Sequence, residues 1–320
     1  MGISQGGEAA ATAGAARVRA VLAVKPRWGE RAVRGSLVLC ALLSVATTVA
    51  IVVALLEPTI AFFRHVSPIE FLTTTEWAPL FSDPAFGVLP LLSATLVLTA
   101  IALCVALPFG LGSAIYLSEY ASPRTRGLVK PTLEVLAGIP TVVFGFFALT
   151  FLTPLLQDVW FLPGDPPGVF NALSAGLVMG VMIIPTVASL AEDAMAAVPH
   201  DMRAGSFALG ATKLSTTVRV VVPAALSGIV AAFILGVSRA IGETMIVTIA
   251  SGGTPNLSFD PAEAMQTMTA FIAAAGIGDQ PTGSVGYQTI FAVGTTLFAI
   301  TFLMNMLSVR IVRRYREVYE

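Results

Sequence analysis

Residues 220–259, VVVPAALSGIVAAFILGVSRAIGETMIVTIASGGTPNLSF, hold only two charged side chains, Arg239 and Glu243. A helix rises about 1.5 Å per residue, so roughly 20 apolar residues cross the hydrocarbon core of a bilayer, which is about 30 Å thick. An apolar run of this length is typical of a membrane-spanning helix, because helices in the cores of soluble domains are shorter.

The whole chain has the composition of a polytopic membrane protein. Of its 320 residues, 56% are hydrophobic and 12% are charged. We therefore predict an all-α fold with six transmembrane helices. The predicted spans are residues 35–56, 86–113, 135–156, 170–191, 220–250 and 285–309. The fourth is diluted by Pro185 and small residues, but Gly176 and Gly180 are four apart and suit close helix contact in lipid.

Basic residues indicate how the spans are oriented. Of the 18 Lys and Arg residues, 16 fall before residue 35, in the second and fourth connections, or after residue 309. The other three connections hold nine acidic residues and a single basic one, Arg64. Because basic connections stay on the cytoplasmic side, both termini are predicted to be cytoplasmic. Residues 1–34 are predicted to be a disordered basic cytoplasmic arm before an uncleaved first span, 35–310 the membrane domain and 311–320 a cytoplasmic tail.

The fourth connection differs from an ordinary membrane linker. Its sequence, AEDAMAAVPHDMRAGSFALGATKLSTTVRVVVPAAL (191–226), mixes charges with small apolar residues and keeps a helix-forming composition. Pro199 and Asp201, a possible N-cap, mark a helix start, and Gly210 lies where a helix can stop. A short helix over 201–212 along the membrane surface is predicted; a plain surface linker is the alternative.

This connection resembles the coupling loop of ABC-importer permeases. The motif of those loops has a Glu-Ala-Ala triplet, a glycine six residues after its first position, and a proline thirteen residues beyond the glycine. Gly210 and Pro223 hold the glycine and proline positions, whereas Ala204 replaces the acidic residue. The resemblance implies that contacts with an ATPase subunit come from Arg203, Ala204, Gly205, Ser206, Leu209, Gly210, Val220 and Pro223.

Two further stretches, 86–126 with its YLSEYA turn and SRAIGETMIVTIASG (238–252), are similar to the phosphate-specific (Pst) permeases of the PstC type. The GxxRAxGET pattern, which begins here at Gly236, makes the resemblance specific to the Pst permeases among ABC permeases. The resemblance implies a type I importer fold in a bacterial inner membrane, with the permease region at about 86–310 and the coupling loop at 191–223. It also implies three kinds of partner: a related PstA-type permease, a PstB-type ATPase dimer and a PstS-type phosphate-binding protein outside the membrane.

The chain has no GxxxxGK[ST] phosphate loop, so ATP and Mg are expected on the separate ATPase subunit. No cofactor, metal site or catalytic residue is predicted for this chain, and no nucleic-acid partner is expected.

Arg239 and Glu243 are the candidate substrate-path residues. In a helix, residues four apart share a face, so the two side chains are predicted to meet. Mutual neutralisation is one interpretation, but a charge at the bilayer centre costs about 2.5–3.5 kcal/mol, which favours a function. The guanidinium fork of Arg239 fits two phosphate oxygens. Glu243 can accept a hydrogen bond from protonated phosphate, which sulfate cannot donate.

Ser238, Thr244 and Thr248 are candidate neutral donors in the same path, unless their hydroxyls bond their own helix backbone. The resemblance implies a permease subunit of an ATP-driven phosphate importer. Three alternatives to that function stay open: a permease for another oxyanion such as sulfate or molybdate, an ion-coupled secondary transporter that uses Arg239 and Glu243 as a relay, and a structural anchor.

Overall fold

The computed structural model describes residues 28–81, 83–160 and 165–314, most of which are helical. The helices are α1 Trp28–Phe63, α2 Pro68–Thr73, α3 Leu89–Tyr120, α4 Pro123–Ala137, α5 Thr141–Asp158, α6 Ala172–Ala196, α7 His200–Ala208, α8 Lys213–Ala224, α9 Leu226–Ile241, α10 Met245–Ala250, α11 Met268–Ile277 and α12 Val285–Arg314. The chain divides between Ala54 and Leu55 into two units. Of the described residues, the first unit contains 28–54 of α1, and the second contains the remainder of α1 and all other elements.

Five helices are long and apolar enough to cross a membrane: α1 from Ala32, α3, α5, α6 and α12. The pair α8 and α9 passes the same test only when it is taken together, and it is bent by 71°. The six predicted spans therefore correspond to these five helices and the bent pair. Helix α1 begins at Trp28, so residues 28–34 are helical rather than disordered; the rest of the predicted arm and residues 315–320 of the tail lie outside the described residues.

The predicted fifth span, 220–250, is wrong as a single helix. Helix α8 begins at Lys213, contains a π-helical turn at Thr217–Val221, and gives way to α9 after Ala224. Helix α9 then ends at Ile241, and α10 begins only at Met245. The helix bends here because Pro223 removes one helical N–H and the wide turn before it already disrupts regular bonding.

Other boundaries also differ from the prediction. Helix α3 continues seven residues beyond residue 113 and finishes in a π-helical turn at Tyr116–Tyr120. The second connection contains the amphipathic helix α4, which begins where Ser122 Oγ accepts a hydrogen bond from the Thr125 amide and Pro123 occupies the first turn. Serine caps and first-turn prolines both favour helix starts.

Close packing of α6 against α3 forms the centre of the second unit. A Cβ atom added to Gly176 would lie 2.8 Å from Ile101, and one added to Gly180 would lie 2.8 Å from the Ala102 carbonyl oxygen. A Cβ atom added to Gly110 of α3 would likewise lie 2.8 Å from the Val187 side chain. Small residues at these positions let the two helices approach, as Gly176 and Gly180 predicted.

One end of the helices, here called the hairpin end (residues 74–87 and 250–284), carries two-residue strands. Strand β1, Trp77–Ala78, pairs antiparallel with β2, Ala85–Phe86. The Trp77 ring packs edge-on against Phe271 of α11, with ring centroids 4.9 Å apart. The start of α6 is fastened to the same end, because the Asn171 amide donates to the Ala250 carbonyl.

The opposite end, here called the coupling end (residues 116–137 and 191–224), joins α3, α4, α6, α7 and α8. Arg203 of α7 pairs with Glu119 of α3, and Lys130 of α4 pairs with Glu192 of α6. The basic residues of the second and fourth connections therefore lie at one end of the second unit.

Candidate functional site

Arg239 lies in the last turn of α9 and faces α6. Its Nη1 donates a hydrogen bond to Thr186 Oγ1 at 3.1 Å, and the residue is half-buried. A neutral hydroxyl leaves the positive charge uncompensated, so the guanidinium keeps its attraction for an anion.

Glu243 lies beyond the end of α9 and caps the next helix. The residue is 8% exposed. Its Oε1 accepts hydrogen bonds from the amides of Met245 and Ile246 at 3.0 and 3.2 Å, at the start of α10. Its backbone carbonyl accepts from Thr269 Oγ1 at 2.7 Å. Three bonds thus hold this carboxylate and its backbone in place, and Oε2 makes no described hydrogen bond.

The predicted contact between Arg239 and Glu243 does not form: among the described ion pairs, none joins the two side chains. The helical rule for residues four apart holds only within one helix, and α9 ends at Ile241 with Gly242 as its C-cap. Each charge has its own partner instead, so mutual neutralisation does not explain why both are present.

The three candidate hydroxyls have separate partners. Ser238 Oγ donates to Asn305 Oδ1 of α12 at 3.0 Å. Thr244 Oγ1 donates to the Gly242 carbonyl, and Thr248 Oγ1 donates to the Thr244 carbonyl at 2.6 Å. The two threonines therefore bond their own backbone, which was the alternative to a role as substrate donors.

The predicted surface helix is α7, somewhat shorter than 201–212. Pro199 occupies its N-cap position, and Asp201 lies in the first turn rather than at the cap. The helix stops where Gly210 adopts φ +79°, with the amides of Gly210 and Ala211 donating back to Phe207 and Ser206. This is the Schellman ending that glycine favours, because an L side chain is disfavoured at positive φ.

Arg203 points inward rather than toward a partner subunit. Its Nη2 lies 2.9 Å from Glu119 Oε1, and the two side chains are 13% and 8% exposed. The same guanidinium donates to the carbonyl of Met195, in the last turn of α6, and to that of Val198, two residues beyond the helix. Arg203 therefore fastens α7 to α3 and α6.

The remaining candidate coupling residues differ in exposure. Ser206 bonds Thr216 of α8 at 2.9 Å, and Val220 is half-buried in the π-helical turn. Leu209 is 91% exposed at the tip of the loop. The other exposed members are Ala204, Gly205, Gly210 and Pro223. Each of these residues is exposed and can be reached by another subunit.

Glu192 is a buried charge that sequence reasoning missed. It is 0% exposed, and it pairs with Arg126 and, at 2.7 Å, with Lys130. Lys130 also pairs with Asp193. Burial lowers the pKa of Lys130, but hydrogen bonds to Asp193 and Glu192 and the charges of both carboxylates raise it above its usual value. Arg126 and Lys130, four apart on an amphipathic helix, were the available signal.

The family and the fold follow from comparison with known proteins. Residues 106–317 match the family described as binding-protein-dependent transport system inner membrane component. The chain belongs to this family, whose members are the membrane subunits of importers.

Three curated relatives narrow the comparison. The chain is 38% identical to the probable ABC transporter permease protein YqgH of Bacillus subtilis, over 86% of this chain and 89% of that protein. It is 35% identical to the phosphate transport system permease protein PstC 1 of Mycobacterium tuberculosis, over 77% and 82% respectively. It is 32% identical to the PstC permease of Mesorhizobium japonicum, over 73% and 75%.

Solved structures show the same fold at lower identity. A chain of a bacterial alginate ABC transporter, in complex with an alginate-bound periplasmic protein, has a TM-score of 0.60 at 16% identity and covers 90% of this chain and 98% of its own. A chain of the inward-facing MetNI methionine ABC transporter has a TM-score of 0.51 at 20% identity, covering 72% and 95%. The fold is that of type I ABC importer permeases.

Proposed function

We propose that this chain is the membrane-spanning permease subunit of an ABC importer that moves inorganic phosphate into the cytoplasm. The observation that carries the proposal is its 32–35% identity to phosphate transport permeases over about three quarters of its length. The geometry at Arg239 and Glu243 is compatible with that substrate.

Arg239 provides the main attraction for the anion. Its planar guanidinium carries five N–H donors, and its described hydrogen bond to Thr186 uses only one of them. Phosphate oxygens match the spacing of the remaining fork, so the side chain can hold phosphate once the anion has lost water. Since no carboxylate competes for this cation among the described ion pairs, its charge is available for a passing anion.

Glu243 provides discrimination rather than attraction. Because Oε1 already accepts hydrogen bonds from two amides, Oε2 remains to accept a hydrogen bond from a protonated oxygen of the substrate. Monohydrogen phosphate has such an oxygen at neutral pH, whereas sulfate does not, so the carboxylate repels sulfate without an offsetting hydrogen bond. The same repulsion keeps phosphate from binding too tightly to leave.

We infer that the coupling end faces the cytoplasm, because it gathers six basic residues from the second and fourth connections. Those residues are Arg124, Arg126, Lys130, Arg203, Lys213 and Arg219. Both termini then lie in the cytoplasm of a bacterial cell, and the hairpin end faces outward, toward a PstS-type phosphate-binding protein. A PstA-type permease completes the path beside this chain.

A PstB-type ATPase dimer docks on the exposed tip around Leu209 and Gly210 and binds the ATP and Mg. Closure of that dimer around ATP moves α7, and the path opens outward to receive phosphate. Such a change requires that each ligand bind one state better than the other.

Arg239 substitutions test the substrate assignment. In the complex reconstituted into liposomes, Arg239→Ala should lower phosphate uptake by about 10- to 100-fold, the worth of a hydrogen bond to a charged group. Arg239→Lys should recover only part of it, because an ammonium lacks the fork. Arg64→Ala is the matched control, since this exposed arginine lies outside the proposed path. Normal uptake in both Arg239 variants would refute the role of this residue.

A further inference from the structure

We propose that the π-helical turn Tyr116–Tyr120 receives the motion of the coupling loop, and that Glu119 is the positioning residue that transmits it to α3. This inference rests on the proposed function. It adds a residue, Glu119, and a route that lie outside the coupling loop itself.

Two cationic side chains, one before and one after the loop tip at Leu209 and Gly210, contact the turn Tyr116–Tyr120. Arg203 of α7 holds Glu119 at 2.9 Å, and Lys213 at the start of α8 lies over the ring of the next residue, Tyr120, 5.0 Å from its centroid. Arg203 and Lys213 are ten residues apart, yet they contact consecutive residues of α3. Movement of α7 or α8 therefore pulls on the same short segment.

The loop between these cations is closed on itself. Ser206 of α7 and Thr216 of α8 share a hydrogen bond of 2.9 Å, and the amides of Gly210 and Ala211 donate back to carbonyls at the end of α7. A segment closed in this way moves as a unit when a partner pushes its tip. The push then reaches α3 through Glu119 and Tyr120.

The Glu119–Arg203 contact is stiff because it is almost fully buried. The two side chains are 8% and 13% exposed, and the guanidinium is also held by the carbonyls of Met195 and Val198. Loss of the carboxylate would leave a buried cation without its counter-charge. An exposed ion pair, by contrast, contributes little free energy, so it would separate easily when α7 moves.

The receiving segment can change shape. The amide of Ala121 donates to the Tyr116 carbonyl, five residues back, which is the bond of a π-helix. Such turns are rare and often occur at functional sites. Exchange of the wide turn for a regular one is the change of shape that the proposal assigns to this segment. Helix α3 packs along α6 and α9, which carry Thr186 and Arg239. A shift at the turn is therefore passed to the substrate path through continuous packing.

Glu119→Gln tests the inference in the full complex with its ATPase. A cysteine at Thr248, with Cys40 and Cys104 replaced by alanine, reports on the path through its labelling rate with and without ATP and vanadate. Glu119→Gln should keep the ATPase bound but reduce the ATP-induced change in labelling, and the phosphate imported per ATP, by at least about fivefold. Glu119→Asp, which keeps the charge, should restore part of both.

Glu134→Gln is the control, since this exposed carboxylate of α4 makes no described ion pair. If Glu119→Gln fails to assemble, Tyr120→Leu should show the same loss to a lesser degree, while Tyr116→Leu, in the same turn but without a described contact to Lys213, should not. A response equal to that of the controls would overturn the inference. Labelling does not depend on phosphate, so a wild-type complex that responds to ATP but imports no phosphate would count against the proposed function instead.

Discussion

At the residue scale, the two charges of the long apolar run have different surroundings from those expected. Arg239 bonds a hydroxyl on α6, whereas Glu243 caps α10 with one oxygen. Sequence reasoning identified both residues because charge in an apolar run is conspicuous. It could not place their partners, since Thr186 lies 53 positions away and Gly242, which ends α9, lies inside an apolar run that was predicted to be one continuous span.

Glu243→Gln separates the two tasks of this side chain. The amide oxygen can still accept from Met245 and Ile246, so the cap is kept while the negative charge is removed. We expect the preference for phosphate over sulfate to fall by about tenfold, the worth of one charge-assisted hydrogen bond. Competition of sulfate with labelled phosphate uptake measures this ratio, and an unchanged ratio would exclude a role for the carboxylate in selection.

At the element scale, the close contact of α3 and α6 was predictable from Gly176 and Gly180, because small residues four apart have few other uses in lipid. The bend between α8 and α9 was not. Pro223 was recognised as part of a motif, but proline is tolerated in membrane helices, and its presence alone does not separate a kink from a 71° break. Helix α4 was missed because its charges resemble those of a plain connection.

Gly180→Ala tests the α3–α6 contact. The added methyl would lie 2.8 Å from a backbone oxygen, Ala102 O, which cannot move aside as a side chain tip can. Overpacking of this kind costs about 1–3 kcal/mol, so thermal unfolding in detergent should occur at a lower temperature. Gly112→Ala in α3 is the control, because nothing lies within 4 Å of its added methyl. Equal unfolding temperatures in the two variants would show that the helices are not in close contact.

The ionic cluster that joins α4 to α6 predicts a dependence on alkaline pH. The raised pKa of Lys130 means that its contribution to stability is fully present below the usual value of 10.5 and is lost as pH rises through the folded-state pKa. Lys130→Met should therefore unfold at a lower temperature than the wild type at neutral pH, and the gap should close as the pH rises through the raised pKa of Lys130. A gap that stays constant with pH would show that the lysine stabilises by packing alone.

At the scale of the whole molecule, the two ends of the fold have separate assignments. The coupling end presents an exposed tip and fastens it to α3 and α6 through Arg203, whereas the hairpin end carries β1, β2 and the aromatic contact of Trp77 with Phe271. Arg239 and Glu243 lie on the bent, broken stretch between them. Composition and the distribution of basic residues predicted the two-ended plan, because they reflect the bilayer rather than details of packing.

The most direct measurement is phosphate uptake into liposomes that contain this chain with a PstA-type permease and a PstB-type ATPase. The external phosphate-binding protein and the internal ATP are varied independently. The proposed function predicts uptake only when both are present, with no response to an imposed proton or sodium gradient. Uptake without ATP, or uptake supported by a sulfate-binding protein but not by the phosphate-binding protein, would contradict it.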